Sequence, residues 1–319
     1  ERRRTLAALV LSLLSSCTTS RLEEEVCRSE RYMKPSENAE NGGAGRIFYP
    51  GVYYLQYDER LLWALREFYL SSVTQSTAPS DADQHHVLVR TDRRCGNGDL
   101  IDDSGLVLTA FHVVEDLTRE GETLVEVIDK RGHQYFGVRT EVGDRVHDWA
   151  VIMVVTNKPQ RSHPLPFAED YELLVDTPVQ FTPRVINVGF GSVSTGYKEI
   201  RGSIRERYRN EGEDIAADAV EDNRSGLQGL FQKRLQHDLE LTAPAEPGTS
   251  GSVVFAYRAG TRKFCGLVWG YEYNGTGQNG KQEGPALLVR STTIRDGLRN
   301  FLDAQGMLRP LELQHYSGF

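Results

Sequence analysis

From residue 86 onward the chain reads as short apolar runs broken by Gly, Asp and Asn: HVLVRT, GDLIDDSGLVLTAFHVV, LVEVIDK, YFGVRTEV and WAVIMVV. After NKPQRSHPLP the same texture resumes with TPVQFTP, VINVGFGSVST, LELTA, SVVFAY, KFCGLVWGYEY and PALLVRS. Runs this short and frequent, with no helical spacing between them, predict strands closed into sandwiches or barrels. The proline-containing stretch between the two series divides them into β units at 84–165 and 166–290.

Helical spacing appears only at the flanks. Residues 46–73 begin with a strand-like aromatic piece and continue with Leu61, Leu62, Leu65 and Phe68 on one helical face, which reads as core packing. The turn formers of TQSTAPSDADQ (74–84) mark a boundary before the first unit. In 291–319, Ile294, Leu298, Phe301 and Leu302 share a face and predict a helix packed on the second unit, followed by a tail. Within the second unit, RERYRNEGEDIAADAVEDNRSGLQGLFQKRLQ (205–236) is charged and locally helical, the texture of an inserted surface segment. No internal repeat is present.

The first residues have a different character. Arg2, Arg3 and Arg4 precede TLAALVLSLL, ten residues that fall well short of the roughly 20 needed to cross a bilayer. A charged region followed by a short apolar one is the composition of an export signal, here 1–16. LSSC resembles the lipobox of bacterial lipoproteins, which implies a lipid on Cys17, the alternative being a simple secretory signal with a chance cysteine; 17–83 reads as a polar tether and extension. The expected location is the cell envelope or periplasm, with the membrane reached through Cys17.

Composition narrows the classes of partner. With 39% hydrophobic and 26% charged residues in 319, the chain belongs with ordinary soluble globular proteins. A formal charge of −8 gives no broad basic surface, so nucleic acid is not an expected partner. The four cysteines, at 17, 27, 95 and 265, form no C-x-x-C pair, and no H-E-x-x-H accompanies them, so neither a metal nor a cofactor is expected. With Cys17 lipidated, Cys95–Cys265 is the preferred bridge, because both lie in segments expected to fold.

PAEPGTSGSVVF (244–255) places Ser250 between two glycines, after a proline turn and before a strand. A polar hairpin turn would account for this, but a serine nucleophile would also need a base, a group orienting that base, and donors for the developing oxyanion. Of the eight histidines, His112 ends an apolar run, where its side chain would project from a strand terminus. His85, His86, His133, His147, His163 and His237 lie in polar stretches that read as solvated loops, and His315 lies in the tail. Asp148 precedes WAVIMVV, at the mouth of a buried strand, where a carboxylate would fix a histidine tautomer. Its competitor Asp144 sits in the turn-like GDRV.

LTAFHVV, HDWAVIMV and PGTSGSVVF together resemble the catalytic motifs of trypsin-like (chymotrypsin-fold) serine peptidases, in that family's order, across about residues 86–302. Bacterial secreted and periplasmic members are the nearer likeness. The resemblance implies an all-β fold of two antiparallel β-barrels with the site in the cleft between them, a C-terminal helix and an N-terminal extension. It implies His112 as general base, Asp148 as its orienter, Ser250 as nucleophile, and the backbone N–H groups of Gly248 and Ser250 as oxyanion hole. GLVWGYE (266–272) resembles the strand that runs beside the substrate, making Trp269 and Gly270 candidate peptide-binding residues. A core position suits Trp269 equally well.

The chain departs from the family pattern at several points. Thr249 stands where an aspartate usually precedes the nucleophile, which argues against activation by an ion pair with a new N-terminus. Ser252 replaces a glycine, and Val113 stands where many animal members have a disulfide cysteine. Pro244, six residues before Ser250, leaves trypsin-like selection of Lys or Arg unsupported, and Glu272 is a candidate for the pocket rim. The reading is an exported serine endopeptidase acting on protein or peptide substrates; the alternative is a catalytically inactive peptidase-fold binding or scaffold lipoprotein. An α/β-hydrolase esterase fits poorly, because a helix should follow its serine and its histidine should come last.

Overall fold

The computed structural model describes residues 50–78, 85–91, 94–115, 124–154, 165–189, 192–205, 238–246, 248–271 and 284–308. The expected export signal, Cys17, the charged segment beyond Arg205, Glu272 and most of the proline-containing linker lie outside these residues.

Two closed antiparallel barrels form from the two predicted series. The first comprises β1 (His86–Arg90), β2 (Cys95–Leu100), β3 (Leu106–Thr109), β4 (Leu124–Ile128), β5 (Gln134–Asp144) and β6 (Trp149–Val154), closed in the order β1-β2-β3-β6-β5-β4. Next come β7 (Pro178–Phe181), β8 (Arg184–Gly189), β9 (Ser192–Tyr197), β10 (Ile200–Arg205) and β11 (Asp238–Ala245). The series ends with β12 (Val253–Arg258), β13 (Thr261–Tyr271) and β14 (Gly284–Arg290). The second barrel closes as β10-β11-β14-β13-β12-β7, while β8 and β9 form a separate two-stranded hairpin. The described parts of VINVGFGSVST, VINVG and SVST, are thus extended as predicted but lie outside the barrel wall.

The second barrel explains why its sequence shows continuous apolar runs. Along β12, Val254 and Ala256 fill the barrel together with Phe181 and Leu241, whereas Val253 and Phe255 join the core shared with the first barrel. β14 divides the same way, with Ala286 and Leu288 inside and Leu287 and Val289 outside. A wall buried on both faces has no reason to alternate with polar residues.

Helices seal the seam between barrels. α1 (Pro50–Thr74) buries Leu61, Leu65 and Phe68, and the Phe68 ring meets Phe167 edge-on at 5.9 Å. The strand-like aromatic piece expected ahead of this stripe is helical from Pro50. A proline at the first helical position has its φ already set and lacks only an N–H that would be unbonded there. α2 (Ser291–Ala304) buries Ile294, Leu298 and Leu302, as its spacing predicted. It packs on β5 as well as on β13, β14 and α1, so it bridges the barrels rather than serving the second alone.

Two cysteine expectations change. Cys95 is disulfide-bonded, but Cys265 is a free thiol, so the preferred Cys95–Cys265 bridge does not form. Cys265 points into the second barrel, whereas Cys95 packs with Leu88 and Ile128 in a small separate cluster on strands of the first, so the two side chains lie in different apolar clusters. Burial raises the Cys265 thiol well above its ordinary pKa. The Cys265 peptide should therefore remain unalkylated by iodoacetamide in native protein and react fully in guanidinium, read by peptide mass mapping.

Candidate active site

After β3 ends at Thr109 the chain makes a single tight turn, Phe111–Val113, carrying His112 at the rim of the first barrel. Asp148 closes the turn leading into β6 and is fully buried. Its φ of +58° lies in the left-handed region, a conformation that costs a non-glycine residue of order 1 kcal/mol or more. That conformation lets one residue grip the whole His112 turn. The Asp148 backbone carbonyl accepts the Phe111 N–H at 3.1 Å. Its carboxylate accepts the His112 backbone N–H at 2.8 Å through Oδ1 and the His112 ring Nδ1 at 2.6 Å through Oδ2.

Because a carboxylate only accepts, this contact puts the imidazole proton on Nδ1 and leaves Nε2 as an acceptor. The Arg94 guanidinium donates to the His112 carbonyl at 2.5 Å and adds a further hold on the turn. Glu115 lies 3.5 Å from Arg94 and 2.6 Å from Arg145.

Asp144 bonds a different histidine, His147 Nδ1, at 2.5 Å. Burial opposes ionisation of Asp144, but hydrogen bonds from the His147 side chain and from the His147 and Val146 backbone outweigh it and hold the carboxyl below its usual range. Among the other histidines, His86 departs from the solvated-loop expectation. It lies 2% exposed in β1, directly opposite Asp99, with Nδ1 2.5 Å from the carboxylate. His163, His237 and His315 lie outside the described residues.

Ser250, 8% exposed, sits on the tight turn between β11 and β12. This turn is docked onto the first barrel. The Asn97 N–H donates to the Ser250 carbonyl at 2.6 Å. A Cβ on Gly96 would meet Val113 at 2.6 Å and the Ser250 carbonyl at 2.8 Å, so the missing side chain in β2 is what lets the serine turn approach the residue after His112.

Backbone polarity within the turn is unequal. The Thr249 N–H donates to the Glu246 carbonyl at 3.1 Å, the Gly251 N–H to the Val268 carbonyl at 2.7 Å, and the Ser252 N–H to the Thr249 carbonyl at 3.2 Å. Among the described residues, no protein acceptor takes the N–H of Gly248 or of Ser250. Gly248 has φ +86°, which a side chain would resist.

The two departures flanking Ser250 serve the turn itself. Thr249 Oγ1 donates to the Glu246 carbonyl at 2.7 Å, and Ser252 Oγ to the Thr249 carbonyl at 2.7 Å. These hydroxyl bonds brace the loop from within, where an aspartate would need an external cation. Trp269 is 8% exposed and belongs to the shared core, whereas a Cβ on Gly270 would meet nothing within 4 Å. Pro244 is exposed in β11, paired with Pro285. Among the described residues, no group of three or more His, Cys, Asp or Glu is placed to hold a metal ion.

The profile of the family described as "Trypsin-like peptidase domain" matches residues 96–262, just over half the chain. This chain belongs to the trypsin-like peptidase family. The matched span runs from β2 into β13 and includes His112, Asp148 and Ser250. Among solved structures, the chain is similar to the Rv3671c protease in an inactive form, at 18% identity and TM-score 0.43, with 71% of this chain and 97% of that one covered. It is also similar to the HtrA-type protease AlgW with a decapeptide, at 14% identity and TM-score 0.46, covering 74% and 67% respectively. No curated protein matches.

Sequence reasoning did not single out Asn97, Arg94 or Thr109, which brace the two turns. The available signal was Asn97 itself, an amide within GNGDLI (96–101) where the neighbouring strands carry valine and leucine.

Proposed function

We propose that this trypsin-like peptidase is a serine endopeptidase working through an acyl-enzyme intermediate, with Ser250 as nucleophile, His112 as general base and Asp148 as its orienter. The reading rests above all on Asp148, whose carboxylate takes both the backbone and ring N–H of His112 at 2.8 and 2.6 Å. That arrangement leaves Nε2 able to receive the Ser250 hydroxyl proton.

Ser250 Oγ attacks the scissile carbonyl carbon as its proton passes to His112 Nε2. Asp148 stabilises the imidazolium that results. The carbonyl oxygen, now negative, lies against the N–H groups of Gly248 and Ser250, neither of which meets a protein acceptor among the described residues. Collapse of the tetrahedral species breaks the C–N bond, and the leaving amine takes the proton from His112. Water then repeats the sequence on the ester, releasing the carboxylic acid and restoring Ser250. The backbone beside Gly270, open on the side where a Cβ would project, is the proposed lane for an extended peptide.

The proposal also places the protein in the cell envelope or periplasm, anchored through a lipid on Cys17, on the strength of RRRTLAALVLSLLSSC alone. The match to the trypsin-like peptidase domain does not favour the inactive-scaffold alternative.

A fluorophosphonate probe should label the folded protein stoichiometrically at neutral pH, and Ser250→Ala should abolish both labelling and peptide cleavage. Unlabelled wild-type protein, with a peptide library left intact, would rule out the hydrolase reading. Activity should fall as pH drops and His112 gains the proton that blocks Nε2. A rate flat from pH 5 to 8 would remove His112 as base.

A further inference from the structure

Asn97 is a primary amide with only 1% exposure in the middle of β2. A buried amide is tolerated when its donors and acceptors are met, and those of Asn97 are. Its side-chain Nδ2 donates to the Gly248 carbonyl at 2.6 Å, and its Oδ1 accepts the Arg184 N–H at 2.8 Å, at the foot of the β8–β9 hairpin. Its own N–H donates to the Ser250 carbonyl, and its carbonyl accepts Thr109 Oγ1 at 2.7 Å. The amide cannot turn over, because the Arg184 N–H only donates and the Gly248 carbonyl only accepts.

A planar trans peptide points its C=O and N–H in opposite directions, so fixing one end fixes the other. The 248–249 unit is held at its carbonyl by Asn97 Nδ2 and at its N–H by Glu246. The 250–251 unit is held at its carbonyl by the Asn97 N–H and at its N–H by Val268. Between them, the Thr249 carbonyl takes both the N–H and the hydroxyl of Ser252, which turns the Ser250 N–H the other way. Asn97 therefore grips two of the three successive peptide units that shape this turn.

We propose that Asn97 is a positioning residue for the oxyanion-binding turn, fixing the direction of the Ser250 N–H through the peptide units on either side of it and the direction of the Gly248 carbonyl. Its amide, aimed by the Arg184 N–H, keeps the Gly248 carbonyl drawn toward β2 and out of the space where the substrate oxyanion would sit. The inference rests on the reading of Ser250 as nucleophile. It also makes the foot of the β8–β9 hairpin the element that orients this amide, so the hairpin and the catalytic turn are mechanically linked through one side chain.

Asn97→Asp tests this in the full chain. Aspartate keeps the size and the acceptor for the Arg184 N–H, but sets an oxygen against the Gly248 carbonyl where a donor had been. With that contact turned repulsive, kcat per titrated site should fall about 100-fold, the scale on which one oxyanion donor matters. KM should stay within about threefold, since ground-state binding does not use the hole. The pH dependence of kcat/KM should keep its midpoint, because the His112–Asp148 contact is untouched. Fluorophosphonate labelling should be slower than wild type yet reach the same endpoint.

A wild-type protein that is neither labelled nor active would overturn the nucleophile reading and this inference with it. An active wild type with unchanged kcat per site in Asn97→Asp would overturn the positioning role alone. So would a loss confined to the number of titratable sites, the mark of a purely structural residue. Should the aspartate variant not fold, Asn97→Ser, too short to span Arg184 and Gly248, should show the same split of kcat from KM, and wild-type kcat in it would be equally decisive against the proposal.

Discussion

Asp148→Asn should lower kcat/KM for peptide or ester substrates about 10⁴-fold while leaving the fold intact by circular dichroism. The carboxylate takes two donors from His112, the backbone N–H at 2.8 Å and the ring Nδ1 at 2.6 Å. An asparagine has one acceptor atom and one donor group. The backbone N–H cannot reverse its polarity, so the amide oxygen stays with it and the NH₂ faces the ring. The imidazole then becomes an acceptor at Nδ1 and carries its proton at Nε2, the atom required to take the proton of Ser250. A variant within tenfold of wild type, with native spectra, would show that this contact does not set the tautomer on which the proposed chemistry depends.

Gly251→Ala should be the most damaging methyl addition near the site. At φ +85° the residue already excludes most side chains, and an added Cβ would sit 1.9 Å from the Asn97 carbonyl oxygen and 2.7 Å from Thr109 Oγ1. Neither neighbour can swing aside, because the Asn97 oxygen is β2 backbone and accepts that same hydroxyl. Conformational strain and overpacking together should cost roughly 3–5 kcal/mol, a large part of the ~5–15 kcal/mol by which domains are stable. In thermal unfolding this corresponds to a Tm lower by about 6–20 °C, at roughly 2–4 °C per kcal/mol for a unit of this size. Activity should vanish with it, since the methyl separates the serine turn from the barrel that bears His112. A shift under about 2 °C would mean that the contact between turn and β2 is far softer than its geometry indicates. Gly248→Ala is the natural control: it shares the positive φ but would meet nothing within 4 Å, so its stability loss should be much smaller.

Much of the barrel architecture was legible because strands such as β3, β6, β12 and β14 are largely buried on both faces, which turns them into unbroken apolar runs such as VVFA or ALLV. β10 went unrecognised for the complementary reason: in IRGSIR only Ile200 and Ile204 are buried, four residues apart, and the intervening positions are at least partly exposed. The start of α1 was misread because aromatic residues around a glycine resemble a strand, and local propensity does not show that Pro50 opens a helix. His112 and Asp148 stood out because each ends or begins an apolar run. Asn97 did not, since the value of a buried amide lies in partners 87 and 151 residues further along the chain, beyond the reach of any local pattern. The Cys95–Cys265 expectation failed similarly: cysteine spacing carries no record of which apolar cluster a strand face points into.

The position of α1 bears on how the chain can be cut and pulled. Leu65 and Phe68 are embedded in the apolar seam alongside Phe167 and Phe264, and the Ala78 N–H is tied to the Arg262 carbonyl. Trimming the protein to its barrels by starting after residue 78 would therefore strip the lid from that seam and leave a sticky, aggregation-prone wound. Traction applied ahead of residue 50 would likewise load a helix rooted in the molecule's interior, so both barrels would feel any leash before a peripheral strand could peel away.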